Sequence, residues 1–259
     1  MNRDEQPSKD DWDQHWTNYT DAATSNPAQH FRFRRIQRMI SELTYDVADP
    51  LVVDVGCGNG DFLRYFSKES TTSRFIGIEP SLAGSEISAR KVGHANIRRI
   101  DLITASSNDT REIHADVVVC TEVLEHLDEP VELLSAIRKK IMQPGSRIVV
   151  SVPGGPRSAY DFHIGHRRHF SKPRLIEALK SAGYDEIKVM RSGFPVFNLY
   201  KSAVIVMGKR LILAPEKFQS RSDEPSRLSS FITRLMDAGP KDTPFGWQLF
   251  ASAVSRSID

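Results

Sequence analysis

Cysteine is scarce: Cys57 and Cys120 are the only two in 259 residues. They lie far apart in apolar strand-like contexts, which argues against a disulfide framework and for a reducing compartment. Charge of one sign is lacking in bulk, since 35 Lys and Arg face 33 Asp and Glu for a formal net charge of +2. No strong global field is available to collect nucleic acid or an acidic membrane surface. Long hydrophobic runs are missing too. The longest, Phe194 to Ala214, is broken by Lys201, Lys209 and Arg210, so no transmembrane segment is expected. The N-terminal MNRDEQPSKDDWDQ has no apolar h-region and does not read as a secretory signal. Repeats and low-complexity segments are absent. A cytoplasmic protein with a single large α/β domain is the expectation.

What is present is a regular alternation. LVVDV (Leu51–Val55) is continuously apolar, as a strand buried on both faces requires. Further strands are expected at Arg74–Glu79, Asn96–Ile100, Ala115–Cys120, Arg147–Val152 and Glu186–Met190, with a last strand-like run at Gly246–Ser255. Helices are expected over 29–43 and 61–68, after the capping Ser81, from Pro130 to Ile141, and from Ser171 to Ala182 with Gly183 as the stop. Strand, helix and strand at this spacing predict right-handed crossovers and a doubly wound, mostly parallel sheet. The expected organisation is an N-terminal helical segment over 1–44, a nucleotide-binding core over 45–193, a helical insertion over 194–243 and a last core strand over 244–259.

The strongest motif is VVDVGCGNGDF, Val52–Phe62. Its glycines fall where a buried strand ends and a helix begins, so the backbone can turn sharply and approach a ligand. Glu79 ends the second strand about 20 residues later, where a carboxylate can accept both hydroxyls of a ribose. Alone, such a loop is equally a tight turn without a ligand; Asp54, the glycines and Glu79 in register favour a nucleoside site. A dinucleotide fingerprint wants Gly or Ala where this chain has Asp61, and a carboxylate there would repel a pyrophosphate. A cationic cofactor bearing an amino-acid moiety suits it better.

DVGCGNG resembles the first motif of class I S-adenosylmethionine-dependent methyltransferases. ADVVVCTEVLEHLDEP (115–130) resembles the fourth motif of their small-molecule subgroup, which includes ubiquinone-type and natural-product enzymes. IEALKSAGYDEIKV resembles their late helix and strand. The resemblance covers about 45–192 and implies a seven-stranded Rossmann-like sheet. It implies that S-adenosylmethionine binds against Asp54, Gly56, Gly58, Gly60, Glu79 and Pro80. Asp101, Leu102, Thr121 and Glu122 would complete that cofactor site, with Asp101 near the adenine amino group.

Methyl transfer needs alignment, water exclusion and, for a hydroxyl acceptor, a base. DFHIGHRRHFS (161–171) offers His163, His166 and His169 on a loop beyond a strand's carboxyl end, and resembles the "GH.RRy" segment of relatives. His166, His163 and His126 are the candidate catalytic residues, against the alternative of a solvated basic loop and a helix-capping Glu125–His126 pair. Arg167 and Arg168 would hold an anionic small-molecule acceptor, with Tyr19 as a further substrate contact. Trp16 and Tyr19 fit a lid over the cofactor, or a tail docked by apolar contact. Three evenly spaced histidines can bind zinc, but no cysteine lies close and no metal is expected. Arg32, Arg34, Arg35 and Arg38 read as a basic helix face, solvated or, alternatively, in contact with phosphate. Residues 194–243 should cover the active site or form a homodimer contact, with membrane-surface docking or simple core packing as alternatives. The expected reaction is transfer to a hydroxyl or amine. Nucleic-acid methylation is the alternative enzyme reading, weakened by CTEV after strand four where exocyclic-amine enzymes carry Asn/Asp-Pro-Pro-aromatic. A nucleotide-cofactor-binding protein without turnover is the alternative from another class.

Overall fold

The computed structural model describes residues 11–19, 26–69, 73–213 and 226–256. Two helices come first, α1 (Trp12–Tyr19) and α2 (Pro27–Leu43). Asn26 caps α2 by accepting from the Ala28 N–H, and Pro27 occupies its first turn, where a missing N–H costs nothing. The alternation follows: β1 (Leu51–Val55), α3 (Asp61–Glu69), β2 (Arg74–Ile78), α4 (Leu82–Val92), β3 (Ile97–Arg98), α5 (Ser107–Thr110), β4 (Ala115–Thr121), α6 (Pro130–Ile141) and β5 (Met142–Pro153). Next come α7 (Ala159–His163), α8 (Lys172–Ser181), β6 (Tyr184–Ser192), α9 (Val196–Leu213), α10 (Arg227–Asp237) and β7 (Gln248–Ser255).

The seven strands form one sheet in the order β3-β2-β1-β4-β5-β7-β6. All neighbours are parallel except β7, which runs antiparallel between β5 and β6. The strand order reverses between β1 and β4, and a crevice opens beyond their carboxyl ends at such a switch point. Alternate residues feed opposite faces. Val53, Val118 and Val150 pack with Leu134 and Leu179 on one side. Val52, Val117 and Val149 pack with Phe31, Phe197 and Met236 on the other.

Three elements depart from the sequence expectation. β3 is only two residues long, because polar Arg99 and the Asp101 turn leave the ladder early. β5 starts at Met142 rather than Arg147: Met142 pairs with Ala115 and the ladder shifts register before Arg147 meets Val117, so Pro144-Gly145 lies inside the strand. The histidine-rich loop contains α7, started by a capping box in which Ser158 and Asp161 bond reciprocally.

The arginine face of α2 is not simply solvated. Arg34 and Arg38 bond Asp237 at the end of α10, while Arg35 is buried and reaches Ser192 Oγ at 3.3 Å. Tyr200 of α9 donates to Asn26 Oδ1 at 3.2 Å, and Thr233 of α10 donates to the Pro27 carbonyl at 3.2 Å. The described part of the 194–243 segment is thereby held against α2, on one flank of the crevice. No helix among the described residues is long and apolar enough to cross a membrane.

Candidate active site

The glycine loop starts where β1 stops. Gly56, Gly58 and Gly60 have φ of +73°, +54° and +77°, in the left-handed region that penalises any side chain. A Cβ at Gly58 would lie 2.3 Å from the Trp16 ring, and one at Gly56 would lie 2.6 Å from Val123. The loop therefore lies directly under α1, whose Asp13 accepts from the Ala83 N–H at 2.8 Å and ties it to α4.

Glu79, almost fully buried at the tip of β2, accepts from Gly58 N–H (2.9 Å), Ser81 N–H (3.1 Å) and Ser81 Oγ (2.7 Å). Burial raises its pKa, and these donors work against the rise. Asp54 is 1% exposed and its Oδ1 has no partner. Burial, with the Glu79 charge nearby, pushes its pKa up to about 8. The cradle fits S-adenosylmethionine: backbone a Cβ would block, a carboxylate in the ribose position, and a buried acceptor with capacity to spare. Asp61, the residue that weighed against a dinucleotide, is bound by Lys91 Nζ at 2.6 Å.

Two cavities meet above this loop. The first, about 130 Å³, is lined by Val55, Gly56, Ile78, Glu79, Pro80, Ile100, Asp101, Leu102 and Leu133, with Trp12 and Trp16 as its cover. The second, about 310 Å³, holds Asp54, Thr121, Arg32, His166, Tyr200 and Lys201. Gly56, Glu122 and His126 line both. A smaller recess continues past His166 to His169, Trp247 and Gln248. Asp101 fastens its own turn, accepting from the Ile103 N–H and Thr104 Oγ1, each at 3.0 Å.

A row of rings borders the second cavity. Trp12 and His126 meet edge to face at 4.9 Å, His126 and His166 at 4.7 Å, and His166 and His169 at 5.3 Å. The hydrogen bonds fix two tautomers. His169 Nδ1 lies 2.7 Å from the Gly155 carbonyl and must donate, so its Nε2 accepts from His166 Nδ1 at 3.1 Å. His166 Nε2 is left with a lone pair, facing Glu125 Oε1 at 4.0 Å. Burial first, and the neighbouring His126 second, hold the His166 pKa far below the ordinary value. Burial and His15 hold that of His126 down at about 4. Glu125 is fully buried with neither oxygen partnered, and burial drives its pKa well up. Ligand atoms of Glu125, His126 and His166 lie within 4.8 Å of one another, as do those of Asp161, His166 and His169. Either trio could hold a metal ion.

The structure thus brings His126 and His166 to the cavities and leaves His163 exposed at the end of α7. Arg167 pairs with Asp128 and Arg168 donates to the Asp128 carbonyl at 2.7 Å; neither lines a cavity described above. The side chain of Tyr19 lies outside the described residues. Sequence reasoning missed Arg32, Lys201 and Gln248 as cavity residues. Arg32 looked like one member of a basic face and Lys201 like a break in an apolar run; only the tertiary fold turns them inward.

A family model described as "Methyltransferase domain" matches residues 28–189. The ubiquinone biosynthesis O-methyltransferase of Vibrio atlanticus is 27% identical over 157 residues, 59% of this chain and 62% of that protein. The chain thus spans somewhat under two thirds of the length of that relative. Among solved structures, Haemonchus contortus phosphoethanolamine N-methyltransferase 2, in complex with phosphomonomethylethanolamine and S-adenosylhomocysteine, superposes with a TM-score of 0.59 at 16% identity, covering 97% of this chain and 61% of that one. The cyclase SpnF superposes with a TM-score of 0.54 at 15% identity, covering 86% of this chain and 82% of that one. With the glycine cradle, the sheet order and the extent of the match in agreement, the chain belongs to the class I S-adenosylmethionine-dependent methyltransferase family.

Proposed function

We propose that this chain transfers the methyl group of S-adenosylmethionine to a hydroxyl, or alternatively an amine, of a small-molecule acceptor. The observation that carries the reading is the continuity of the two cavities at Gly56, Glu122 and His126. The first has the carboxylate and apolar walls for adenosine; the second has polar groups for an acceptor. The cofactor supplies an activated sulfonium methyl, which leaves positioning and water exclusion to the protein. In this reading Glu79 grips the ribose, Asp101 and Leu102 border the adenine, and Asp54 faces the amino-acid end. Trp12 and Trp16 close the pocket, and an aromatic face there favours a cation. The Nε2 lone pair of His166 takes the acceptor proton. The low pKa of His166 makes it a weak base, suited to a proton made acidic as the acceptor oxygen takes up positive charge with the methyl group.

A test of labelled-methyl transfer to hydroxyl- and amine-bearing acceptors separates enzyme from binder. In such an assay His166→Ala should lower turnover at least tenfold with S-adenosylhomocysteine affinity nearly unchanged. Full activity would remove His166 from the mechanism. SpnF, named as a cyclase on this fold, is why turnover must be measured.

The unpartnered oxygens of Glu125 favour a second version of the proton step. A divalent cation held by Glu125, His126 and His166 would offset a buried charge and acidify a bound hydroxyl. This departs from the expectation of no metal. Dialysis against a chelator followed by metal analysis and readdition decides it: activity indifferent to chelator and cation leaves the histidine route alone.

A further inference from the structure

Arg32 of α2 and Lys201 of α9 both line the second cavity and the recess past His166, on elements outside the glycine-loop core. Their side chains are 17% and 22% exposed. Each stands beside an acid whose hydrogen-bonding capacity is largely committed elsewhere. Asp161 Oδ2 accepts from Ser158 N–H (2.7 Å) and Ser158 Oγ (2.6 Å), and its Oδ1 takes one bond from Lys201 Nζ at 2.9 Å. Glu122 Oε1 accepts from Ser151 Oγ (2.9 Å) and Gln248 Nε2 (2.8 Å), while its Oε2 faces Arg32 at 3.6 Å, beyond a hydrogen bond.

Among the described residues, then, the Arg32 guanidinium is held by charge alone and donates no hydrogen bond, and Lys201 spends one N–H of three. The contrast with the same helix is direct. Arg34 and Arg38, two and six residues on, commit their guanidinium groups to Asp237 at 3.2, 2.8 and 2.5 Å. Keeping a half-buried guanidinium with donors unspent is costly unless a ligand takes them up. Phe33, Phe62 and Phe197 give the second cavity, about 310 Å³, flat apolar walls beside these cations.

We infer that Arg32 and Lys201 form an anion subsite that binds a carboxylate or phosphate borne by the methyl acceptor, whose flat apolar body lies in the second cavity against Phe33 and Phe197. This rests on the methyl-transfer reading and names its acceptor class. It moves the anion contact from Arg167 and Arg168, which meet Asp128 and line none of these cavities, to two cations that line the second cavity. The planar fork of Arg32 suits two oxygens at once, and Lys201 adds a point charge beside it.

The test is calorimetric titration of the full chain, with and without saturating S-adenosylhomocysteine, using benzoate, phenyl phosphate and the neutral benzamide. Arg32→Gln and Lys201→Gln are compared with wild type, because glutamine keeps a donor for the neighbouring acid and the two changes sit on different helices. At least one anion should bind about tenfold more tightly than benzamide. Each substitution should erase most of that preference while leaving benzamide and S-adenosylhomocysteine affinities within about twofold. Equal binding of anions and benzamide, no binding of either anion, or a preference that survives both substitutions overturns the subsite. Failure of S-adenosylhomocysteine to bind is a separate result: it removes the cofactor reading, while the anion preference still decides the subsite.

Discussion

Removing the carboxylate of Glu79 perturbs two quantities that separate in experiment. In the free protein it accepts from the Gly58 and Ser81 N–H groups and from Ser81 Oγ. Glu79→Ala leaves both backbone donors without their acceptor in a buried place, at a cost of about 1–3 kcal/mol each. The melting temperature should therefore fall, and a urea melt is run first to confirm that the variant is folded. The second quantity is cofactor affinity. A ribose hydroxyl donating to an ionised carboxylate contributes roughly 1.5–3 kcal/mol, so the Kd for S-adenosylhomocysteine should rise roughly 10- to 150-fold. Glu79→Gln keeps the shape and one acceptor oxygen but loses the charge, and should fall between wild type and alanine in both measurements. Titration calorimetry at fixed salt reads the affinities. A folded Glu79→Ala protein whose Kd stays within about twofold of wild type would refute the ribose assignment.

Asp54 gives a pH signature. Burial, with Glu79 beside it, lifts its folded pKa to about 8, far above the ordinary aspartate range, so the free protein keeps this proton at neutral pH. The stabilisation from that proton is complete below the unfolded pKa and is lost as pH rises towards 8. Binding a cationic cofactor end should expel the proton, so affinity should rise with pH between neutrality and about 8. Calorimetry in buffers of different ionisation enthalpy should report proton release that Asp54→Asn abolishes; equal heats in both buffers would contradict it. Gly58→Ala combines a left-handed φ, costing about 1–2 kcal/mol, with a Cβ 2.3 Å from the Trp16 ring. It should lower the melting temperature and shift tryptophan emission as α1 is displaced, and an unchanged spectrum would mean that α1 does not rest on the loop.

The geometry of the glycine cradle was legible because short contiguous motifs build it. Three glycines, Asp54 and a carboxylate one strand on specify a strand, a turn and a helix terminus by local conformation alone. β1, β4 and α6, from Pro130 to Ile141, were readable for the same reason. β3 was over-read because Asn96–Ile100 carries a strand pattern that the Asp101 turn cuts short. The lining of the second cavity was not legible. Arg32 and Lys201 are 169 positions apart, and nothing local distinguishes Arg32 from Arg34. Arg167 and Arg168 carried the family-like pattern, yet Asp128, from the turn before α6, draws them away from the cavity.

Glu122 joins the two halves. Its φ of +53° is a conformation that a non-glycine residue occupies at a cost. The fold holds it there from two strands: its N–H donates to the Ser151 carbonyl at 3.0 Å, and its Oε1 is gripped by Ser151 of β5 and Gln248 of β7. That grip depends on β7 running antiparallel beside β5, which places Gln248 opposite Pro153. The last strand, formed by the segment after the insertion, therefore fixes a side chain at the end of β4 that lines the first cavity, the second cavity and the recess behind it. Strain persists where surrounding contacts over-determine it. Here they hold a carboxylate at the passage a methyl group would cross, oriented by partners that neither substrate supplies.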